Sequence, residues 1–293
     1  MKRFAITLIT LALALVLLVS CSTAGTDISG AKDLSGLSGA RIAAQSGTFH
    51  AEALSQIKDV KSSTYPEFSD LLTALKSNAI DGYVAEEPTA LTVCAEDDSL
   101  DYLRLVNNST GFTATDKQVG IAIAVAKGSS LRDRISEVLA GIPEETRYAL
   151  MLQMADLAAG REISEIVLES EEPANPEGTL RIAMECAYQP FNWTELTSSS
   201  SHGSVPIYTE GGKVVSGQFA NGYDVQIAKY IANTLGMNLE IYAFGWDSLI
   251  AAVQAGSVDA IVAGMSPIPE REKEVDFTAM YYTSNLVIIY KKK

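Results

Sequence analysis

The chain contains a helix-and-strand unit twice, and this repeat constrains the fold more than any other feature. Residues 68–86 read FSDLLTALKSNAIDGYVAE, and residues 246–264 read WDSLIAAVQAGSVDAIVAG. In each copy an aromatic residue starts a Leu-rich helical pattern, and an aspartate precedes an apolar strand. A weaker pair, RIAAQ at 41–45 and RIAME at 181–185, precedes the two copies. The repeat predicts two related α/β lobes that face each other across a cleft.

The ends of the predicted strands indicate where a ligand would bind. In open α/β sheets, ligands bind outside the carboxyl ends of the strands. This rule places four short segments on the walls of the predicted cleft: 45–49, Glu86, 185–188 and 263–266.

The second copy of the repeat leads into a candidate anion-binding segment, DAIVAGMSPIPER at 259–271. The predicted strand opens into Gly264, and Ser266 is predicted at a helix N-cap, where backbone N–H groups attract anions. Arg271 would add a planar guanidinium that binds a carboxylate through two parallel bonds. Gly47 and Thr48 precede another predicted helix and offer similar N–H groups. A plain strand, a turn and a solvated arginine are the alternative interpretation.

The first residues have the pattern of a secretory signal. A basic start precedes an apolar run at 4–19, which is short for a membrane span. Residues 18–21 resemble the bacterial lipoprotein box, which implies that 1–20 is a signal peptide and that Cys21 is lipidated. Residues 21–34 would then be the lipidated cysteine and its tether. An ordinary cleaved signal or an uncleaved anchor is the alternative.

Charge and composition argue against several classes of function. The formal net charge is −14, and phosphate binding needs a basic face, so we expect no nucleic-acid partner. Two histidines and three cysteines without metal-ligand spacing predict no metal site. Nucleotide-binding and Ser-hydrolase motifs are absent from the sequence, so we expect no cofactor and no catalytic residue. Cys94 and Cys186 fall in different halves and are expected to be free thiols.

Seven segments resemble the type II, polar amino-acid family of ABC-transporter solute-binding proteins, which is the bacterial extracellular solute-binding protein family 3. The segments similar to its first lobe are AYQPFNW, GYDVQIAKYIANTLG, WDSLIAAVQAGSVDAIVAGMSPIPERE and VDFTAMYYTSNLVIIYKK. Those similar to its second lobe and closing segment are LSGARIAAQSGTFHAEAL, LLTALKSNAIDGYVAEEPTA and VGIAIAVAKGSSLRDRISEVL. The resemblance implies a two-lobed, periplasmic-binding-protein-like type II α/β fold with a ligand cleft between the lobes.

The order of the lobes departs from that of the family. Residues 35–120 resemble the second lobe, 121–160 the return strand and closing helices, and 179–293 the first lobe, with an acidic linker at 161–178. We interpret this order as a circular permutation that leaves one covalent crossing, near 107–120, and therefore a looser hinge. A truncated tandem or an exchange of lobes between molecules is the alternative.

The resemblance implies capture of an extracellular amino acid and its delivery to a membrane permease. Arg271 would bind the α-carboxylate with help from the N–H groups of Gly264, Ser266 and Thr48. Glu86 would bind the α-ammonium. The full set of ligand-site residues carried over is Gly47, Thr48, Phe49, Glu86, Glu185, Tyr188, Trp246, Ala263, Gly264, Ser266 and Arg271.

The side-chain end of the ligand would meet a second group of residues. Tyr188 and Trp246 would enclose the ligand side chain between their rings. Glu185 would meet a polar or cationic end, which favours a cationic or amide-bearing amino acid. Ala263 replaces a position that is often serine in relatives and removes one hydroxyl contact.

The expected partners are therefore an amino acid, an ABC permease subunit and the membrane, through lipidated Cys21. The protein is expected outside the cytoplasm, anchored to the cell membrane. One alternative is a ligand-sensing surface lipoprotein that feeds no permease. Another is a cyclohexadienyl-dehydratase-like enzyme on the same fold, in which Glu86 or Glu185 would be the general acid.

Overall fold

The computed structural model describes residues 25–198 and 203–293. The predicted signal peptide and Cys21 lie outside the described residues. Within these two ranges, no helix combines the length and the apolar character needed to cross a membrane.

The chain forms short strands and helices that alternate along most of its length. The strands are β1 Ile42–Gln45, β2 Ser63–Tyr65, β3 Gly82–Glu86, β4 Leu100–Leu103, β5 Gly120–Ala126, β6 Thr179–Met184, β7 Ala187–Tyr188, β8 Asn192–Glu195, β9 Val205–Tyr208, β10 Val214–Asn221, β11 Asn238–Ala243, β12 Ala260–Ile261, β13 Val275–Thr283 and β14 Leu286–Lys291. The α-helices are α1 Phe49–Ala53, α2 Phe68–Lys76, α3 Glu87–Glu96, α4 Asp116–Val119, α5 Leu131–Ala140, α6 Glu144–Ala158, α7 Tyr223–Thr234, α8 Leu249–Gln254 and α9 Pro269–Glu272.

The strands belong to two sheets, and each sheet is the centre of one lobe. The smaller lobe contains a five-stranded sheet in the order β2-β1-β3-β14-β4. The larger lobe contains a nine-stranded sheet in the order β13-β5-β12-β6-β11-β9-β10-β8-β7. The expected two-lobed α/β fold is confirmed.

The repeat occupies the same place in both lobes. The first copy forms α2 and β3, and the second forms α8 and β12 after a 3₁₀ turn at Trp246–Ser248. At the start of β1, the backbone N–H of Arg41 donates to Asp81 at 2.8 Å, and that of Arg181 donates to Asp259 at 2.8 Å before β12. In both lobes the guanidinium also binds the aspartate carboxylate. The two lobes thus share one local plan, as the sequence predicts.

Within residues 25–198 and 203–293, the chain passes between the lobes twice. Residues 104–119 lead from β4 to β5, and residues 284–285 lead from β13 to β14. The expectation of one covalent crossing is therefore wrong. The strand β14 pairs with β3 and β4 of the smaller lobe, and its apolar side chains are buried on both faces of that sheet. Ile288 packs into the core of that lobe, whereas Ile289 packs into a core that both lobes share.

Two further segments differ from expectation. Ile28 is 2% exposed and packs in the smaller lobe, so this part of the expected tether belongs to the folded lobe. The stretch 194–221 is rich in Ser and Gly and predicts an excursion at the rim, but it contains β9 and β10, which extend the larger sheet. Valines in both strands favour this pairing over an irregular loop. The segment 161–178 contains neither helix nor strand, as expected for a linker.

Candidate functional site

The cleft between the lobes is closed around a cavity of about 10 Å³. Both lobes supply its walls, because the strand ends of each sheet point toward it. The smaller lobe contributes Gln45, Thr48, Phe49, His50, Phe68 and Glu86, and the larger lobe contributes Tyr188, Trp246, Ala263, Gly264, Ser266 and Arg271. Of the residues predicted from the sequence, Gly47 and Glu185 lie at the edge of this cavity and the others line it.

Arg271 is the buried cation of the cleft. It is 7% exposed, and its guanidinium donates to the carbonyl of Ser266 at 2.9 Å and to that of Gly47, from the other lobe, at 2.7 Å. Its Cζ atom lies 5.0 Å from the ring centre of Trp246, in a cation–π contact. Burial lowers the pKa of Arg271 to about 10, and Glu52 opposes this change. The guanidinium therefore lies in a place where an anion would be bound strongly.

The segment before Arg271 differs in one detail from expectation. The helix α9 begins at Pro269, with Ile268 as its N-cap, so Ser266 is not a cap residue. The residue before a proline avoids helical angles, and both Ser266 and Ile268 precede prolines. The hydroxyl of Ser266 donates to the carbonyl of Gln118 at 3.2 Å.

Gly264 allows the close approach of two parts of the larger lobe. Its φ is +59°, and a Cβ atom at this position would lie 3.2 Å from the ring of Tyr188. Its backbone N–H lies beside the buried carboxyl of Asp224 and lowers the pKa of that group, against a larger rise caused by burial. A side chain here would therefore disturb both the ring and the loop.

The anion-binding candidate of the smaller lobe is a short turn before α1. Thr48 is the N-cap of this five-residue helix, and its hydroxyl donates to the carbonyl of Gln45 at 2.8 Å. The sequence pattern predicts one helix over 50–57, but α1 ends at Ala53 and a 3₁₀ turn continues from Leu54. Phe49 is buried, and Gly47 presents its carbonyl to Arg271.

Glu86 binds two side chains, one from each lobe. Its Oε1 atom lies 3.0 Å from Nε2 of His50, and its Oε2 atom accepts a hydrogen bond from the hydroxyl of Tyr188. Glu86 and His50 are each 5% exposed. The Nδ1 atom of His50 is buried without a hydrogen-bond partner among the described residues. Contacts from both lobes thus fix the orientation of the Glu86 carboxylate at the end of β3.

The two rings expected to enclose a ligand side chain have other stacking partners. Tyr188 lies parallel to Phe68 of the smaller lobe, with ring centres 4.0 Å apart and an angle of 6°. On its other side it stacks on Phe191 at 4.8 Å. Trp246 instead faces Arg271. The aromatic contacts therefore join the lobes through Phe68.

Glu185 and Gln45 occupy equivalent positions in the two lobes and meet across the cleft. Nε2 of Gln45 donates to Oε1 of Glu185 at 2.9 Å and to the carbonyl of Pro66 at 3.1 Å. The RIAAQ and RIAME segments already align these two residues in the sequence.

Sequence reasoning missed His50, Phe68 and Asp224 as residues of the site. Phe68 could have been found, because the repeat aligns it with Trp246. For His50 the only signal is its place directly after the 47–49 turn. Asp224 carries no visible signal beyond its position at the start of α7.

Comparisons with known proteins agree on one family. The family of bacterial extracellular solute-binding proteins, family 3, matches residues 214–293. The arginine-binding extracellular protein ArtP of Bacillus subtilis (strain 168) is 41% identical over 85 residues, which cover 29% of this chain and 31% of that protein. The ABC transporter arginine-binding protein 1 of Escherichia coli (strain K12) is 35% identical over 71 residues, covering 24% of this chain and 29% of that protein.

Among solved structures, the arginine-bound form of domain 1 from TmArgBP is 26% identical, with a TM-score of 0.27, and the match covers 39% of this chain and 81% of that one. The chain spans about a third of the length of the two curated relatives it matches. The match to the bacterial extracellular solute-binding proteins, family 3, thus extends over residues 214–293, which form the last part of the larger lobe and β14.

Proposed function

We propose that this protein captures a free amino acid with a cationic or amide-bearing side chain between its two lobes and delivers it to an ABC permease. The ligand's α-carboxylate binds Arg271, and its α-ammonium binds Glu86. The remaining cleft residues surround the side chain.

The observation that carries the proposal is the state of Arg271. Its guanidinium is almost fully buried, yet the hydrogen bonds of the described residues join it to two carbonyl oxygens and not to a carboxylate. A buried cation without a counter-anion is costly, and a bidentate carboxylate is the partner that its planar geometry suits best. One of the two carbonyls comes from each lobe, so a ligand on Arg271 contacts the elements that close the cleft.

Glu86 supports the other half of an amino-acid site. It is a buried carboxylate on the opposite lobe, and it lines the same cavity as Arg271. A carboxylate and a guanidinium on facing walls match the two opposite charges of an amino acid. Both relatives described above are named as arginine-binding, which supports a cationic side chain.

The proposal includes the location of the protein. The apolar run at 4–19 and Cys21 support export, followed by lipid attachment to the outer face of the cell membrane. Mass spectrometry of the mature N-terminus tests this part. An acylated Cys21 is the expected result, and an unmodified N-terminus elsewhere contradicts it.

The first test is a thermal-shift screen of the purified protein against the common amino acids, followed by calorimetry on each hit. A ligand present at 100 times its dissociation constant adds about 2.7 kcal/mol to the free energy of unfolding. We expect one or a few cationic or amide-bearing amino acids to raise the melting temperature.

The substitution Arg271→Ala should then nearly abolish binding. Loss of one partner from a desolvated ion pair costs about 3 to 5 kcal/mol, out of roughly 8 kcal/mol for a micromolar ligand. Arg132→Ala is the matched control, since this exposed arginine pairs with neighbouring Asp133 away from the cleft and its loss should leave affinity unchanged. Micromolar binding by the Arg271→Ala protein would refute the site.

Two other functions are outcomes of the same experiments. Turnover of a prephenate-like cyclic acid by the purified protein would favour the dehydratase alternative, with Glu86 beside His50 and Tyr188 as the acid–base group. Amino-acid binding without uptake, in cells that also express a permease encoded beside the gene for this protein, would favour a ligand-sensing surface lipoprotein.

A further inference from the structure

Phe68 carries an aromatic ring from the smaller lobe to the wall of the cleft. It is the first residue of α2 and is 7% exposed, and it lines the same cavity as Arg271 and Glu86. Its ring lies parallel to that of Tyr188 in the larger lobe, with ring centres 4.0 Å apart. Within its own lobe, the ring of His50 meets it edge-on, with ring centres 6.0 Å apart. Both lobes therefore hold Phe68 in one position.

Both faces of the Tyr188 ring are covered by rings of the protein. Phe68 covers one face, and Phe191 stacks on the other with ring centres 4.8 Å apart. Each face of an aromatic ring has room for one flat or apolar group at van der Waals distance. A ligand side chain that lies on Tyr188 must therefore take the place of Phe68.

A hydrogen bond between the lobes narrows the cleft beside Phe68. Nε2 of Gln45, which also lines the cavity, donates to Oε1 of Glu185 at 2.9 Å and to the carbonyl of Pro66 at 3.1 Å. Pro66 precedes Phe68 by two residues, so this bond and the stacked rings lie next to each other. A ligand side chain that extends beyond the α-groups therefore meets this barrier, and a longer side chain meets more of it.

The sequence repeat connects Phe68 with a second aromatic residue of the cleft. Phe68 and Trp246 occupy equivalent positions at the start of the two copies, and both line the cavity. Trp246 lies against Arg271, whereas Phe68 lies against Tyr188. The family match at 214–293 includes Trp246 but not Phe68, so it carries no information on this part of the wall.

We propose that Phe68 determines specificity by limiting the length of the ligand's side chain, so that the protein prefers a short amide-bearing amino acid to a longer one. This inference rests on the proposed function, because it places the α-groups of the ligand on Arg271 and Glu86. It narrows the proposed class of ligands to its shorter members. A longer side chain must displace the Phe68 ring, and the stacking with Tyr188 that is then lost lowers its affinity.

Calorimetry with asparagine, glutamine and citrulline tests the effect of length. The side chains of these ligands increase in length in this order, and each ends in an uncharged amide or urea group. Their α-groups are identical, so Arg271 and Glu86 contribute equally to all three titrations. One methylene group that a pocket must accommodate changes discrimination by about tenfold or more. The wild type should therefore bind citrulline at least about tenfold more weakly than asparagine, with glutamine between them.

Phe68→Ala removes the ring, so it should tighten the binding of citrulline relative to asparagine by about tenfold. Phe68→Leu keeps an apolar side chain for the packing of α2, and it should shift this ratio in the same direction by a smaller factor. Phe112→Leu is the matched control, because it makes the same change at a fully buried position in the core of the smaller lobe and should leave the ratio unchanged. A loss of stability alone would weaken all three ligands equally, so the ratio reports on the side-chain end.

The outcomes separate this inference from the proposed function. If the wild type binds citrulline as tightly as asparagine, or if the ratio is unchanged in both Phe68 variants, this inference alone is overturned. Failure of every common amino acid to bind the wild type overturns the proposed function itself.

Discussion

Asp224 is a fully buried carboxyl that supports the floor of the cleft. The hydroxyl of Tyr281 donates to its Oδ1 atom at 2.6 Å, and Nδ2 of Asn192 donates to its Oδ2 atom at 2.8 Å. Burial nevertheless raises its pKa from 3.8 to about 7, although these hydrogen bonds and the N–H of Gly264 lower it. The free-energy cost of burying the Asp224 charge therefore exceeds the stabilisation that its three hydrogen-bond donors provide.

This raised pKa predicts how stability changes with pH. Between the unfolded and folded pKa values, the folded protein binds a proton that the unfolded chain has released. The stabilisation by neutral Asp224 is therefore complete below about pH 4 and is lost as the pH rises to about 7. The loss amounts to about 4 kcal/mol, at 1.36 kcal/mol for each pKa unit.

The substitution Asp224→Asn removes the titrating group, so its free energy of unfolding should lack this decline. Urea unfolding of both proteins from pH 4 to pH 8 measures the difference in slope. Asp98→Asn, at an exposed position, should give a curve parallel to that of the wild type. A parallel curve for Asp224→Asn as well would contradict the role assigned to Asp224.

The residues of the cleft divide by how visible they are in a sequence. Glu86 ends β3, and Arg271 lies in α9 after the segment that follows β12, so position and charge both point to them. The contact of Phe68 with Tyr188 depends on how the two lobes meet, and that of His50 with Glu86 depends on how α1 packs beside β3. No local pattern contains that information, because the partners are more than 100 residues apart for Phe68 and Tyr188.

At the scale of elements, the two copies of the repeat provide a natural comparison. One ion pair, Arg41–Asp81, connects β1 to β3. The equivalent pair in the larger lobe, Arg181–Asp259, connects β6 to β12. The side chain of Asp81 is 3% exposed, whereas that of Asp259 is 22% exposed. The same ion pair is thus more deeply buried in the smaller lobe.

Loss of the carboxylate should therefore cost more in the smaller lobe. We expect Asp81→Asn to lower the free energy of unfolding by about 2 to 3 kcal/mol, because it leaves a partly buried arginine without its charge partner. Asp259→Asn should cost about 1 kcal/mol, because water screens that pair. Urea denaturation at pH 7 measures both values.

One core extends through both lobes, so a single unfolding transition is expected for each protein. Asp133→Asn, whose carboxylate is 77% exposed, is the control and should have almost no effect. If Asp259→Asn lowers the free energy of unfolding as much as Asp81→Asn, or more, then burial does not determine the strength of this ion pair.

The sequence predicts the elements whose apolar residues are regularly spaced. It does not predict the elements that form only because they pair with other strands. The apolar pattern at 179–184 predicts a strand, and β6 has these bounds. Gly141 and Pro143 predict a break between two helices, and α5 and α6 lie on either side of it. The strand β9 was missed because Pro206 interrupts its apolar residues, and β10 because Ser216 and Gly217 interrupt its pattern. Hydrogen bonds between β9, β10 and the neighbouring strands stabilise these strands although their local sequences do not predict them.

At the scale of the whole molecule, the first and last residues that the structure describes, Gly25 and Lys293, lie close together. Nζ of Lys293 donates to the carbonyl of Gly25 at 2.7 Å, and the N–H of Lys292 donates to the carbonyl of Ser99 at 2.8 Å. The described chain therefore starts and stops at one place in the smaller lobe, beside β4. A circular permutation relative to the family is a proposal that this closeness supports.

A rearranged chain tests that proposal. Lys293 is joined to Gly25 through a short glycine-rich linker, and the chain is opened between Glu171 and Glu172, in the segment without helix or strand. Both crossings between the lobes remain covalent in this order, so the hinge has the same constraints. We therefore expect the same ligand affinity and the same rates of opening and closing, instead of the looser hinge that a single crossing would predict.

The free energy of unfolding should change by less than about 1 kcal/mol, because loop-closure entropy depends only weakly on loop length. Stopped-flow fluorescence of Trp246 at the cleft measures the rates, and urea denaturation measures stability. The control keeps the original order and carries the same linker inserted between Glu171 and Glu172. If the rearranged chain folds but its cleft opens markedly more slowly than that of this control, then the absence of a covalent join between Lys293 and Gly25 in the original order loosens the hinge. A rearranged chain that does not fold would mean that the observed order of lobes is required, and the permutation proposal would then be abandoned.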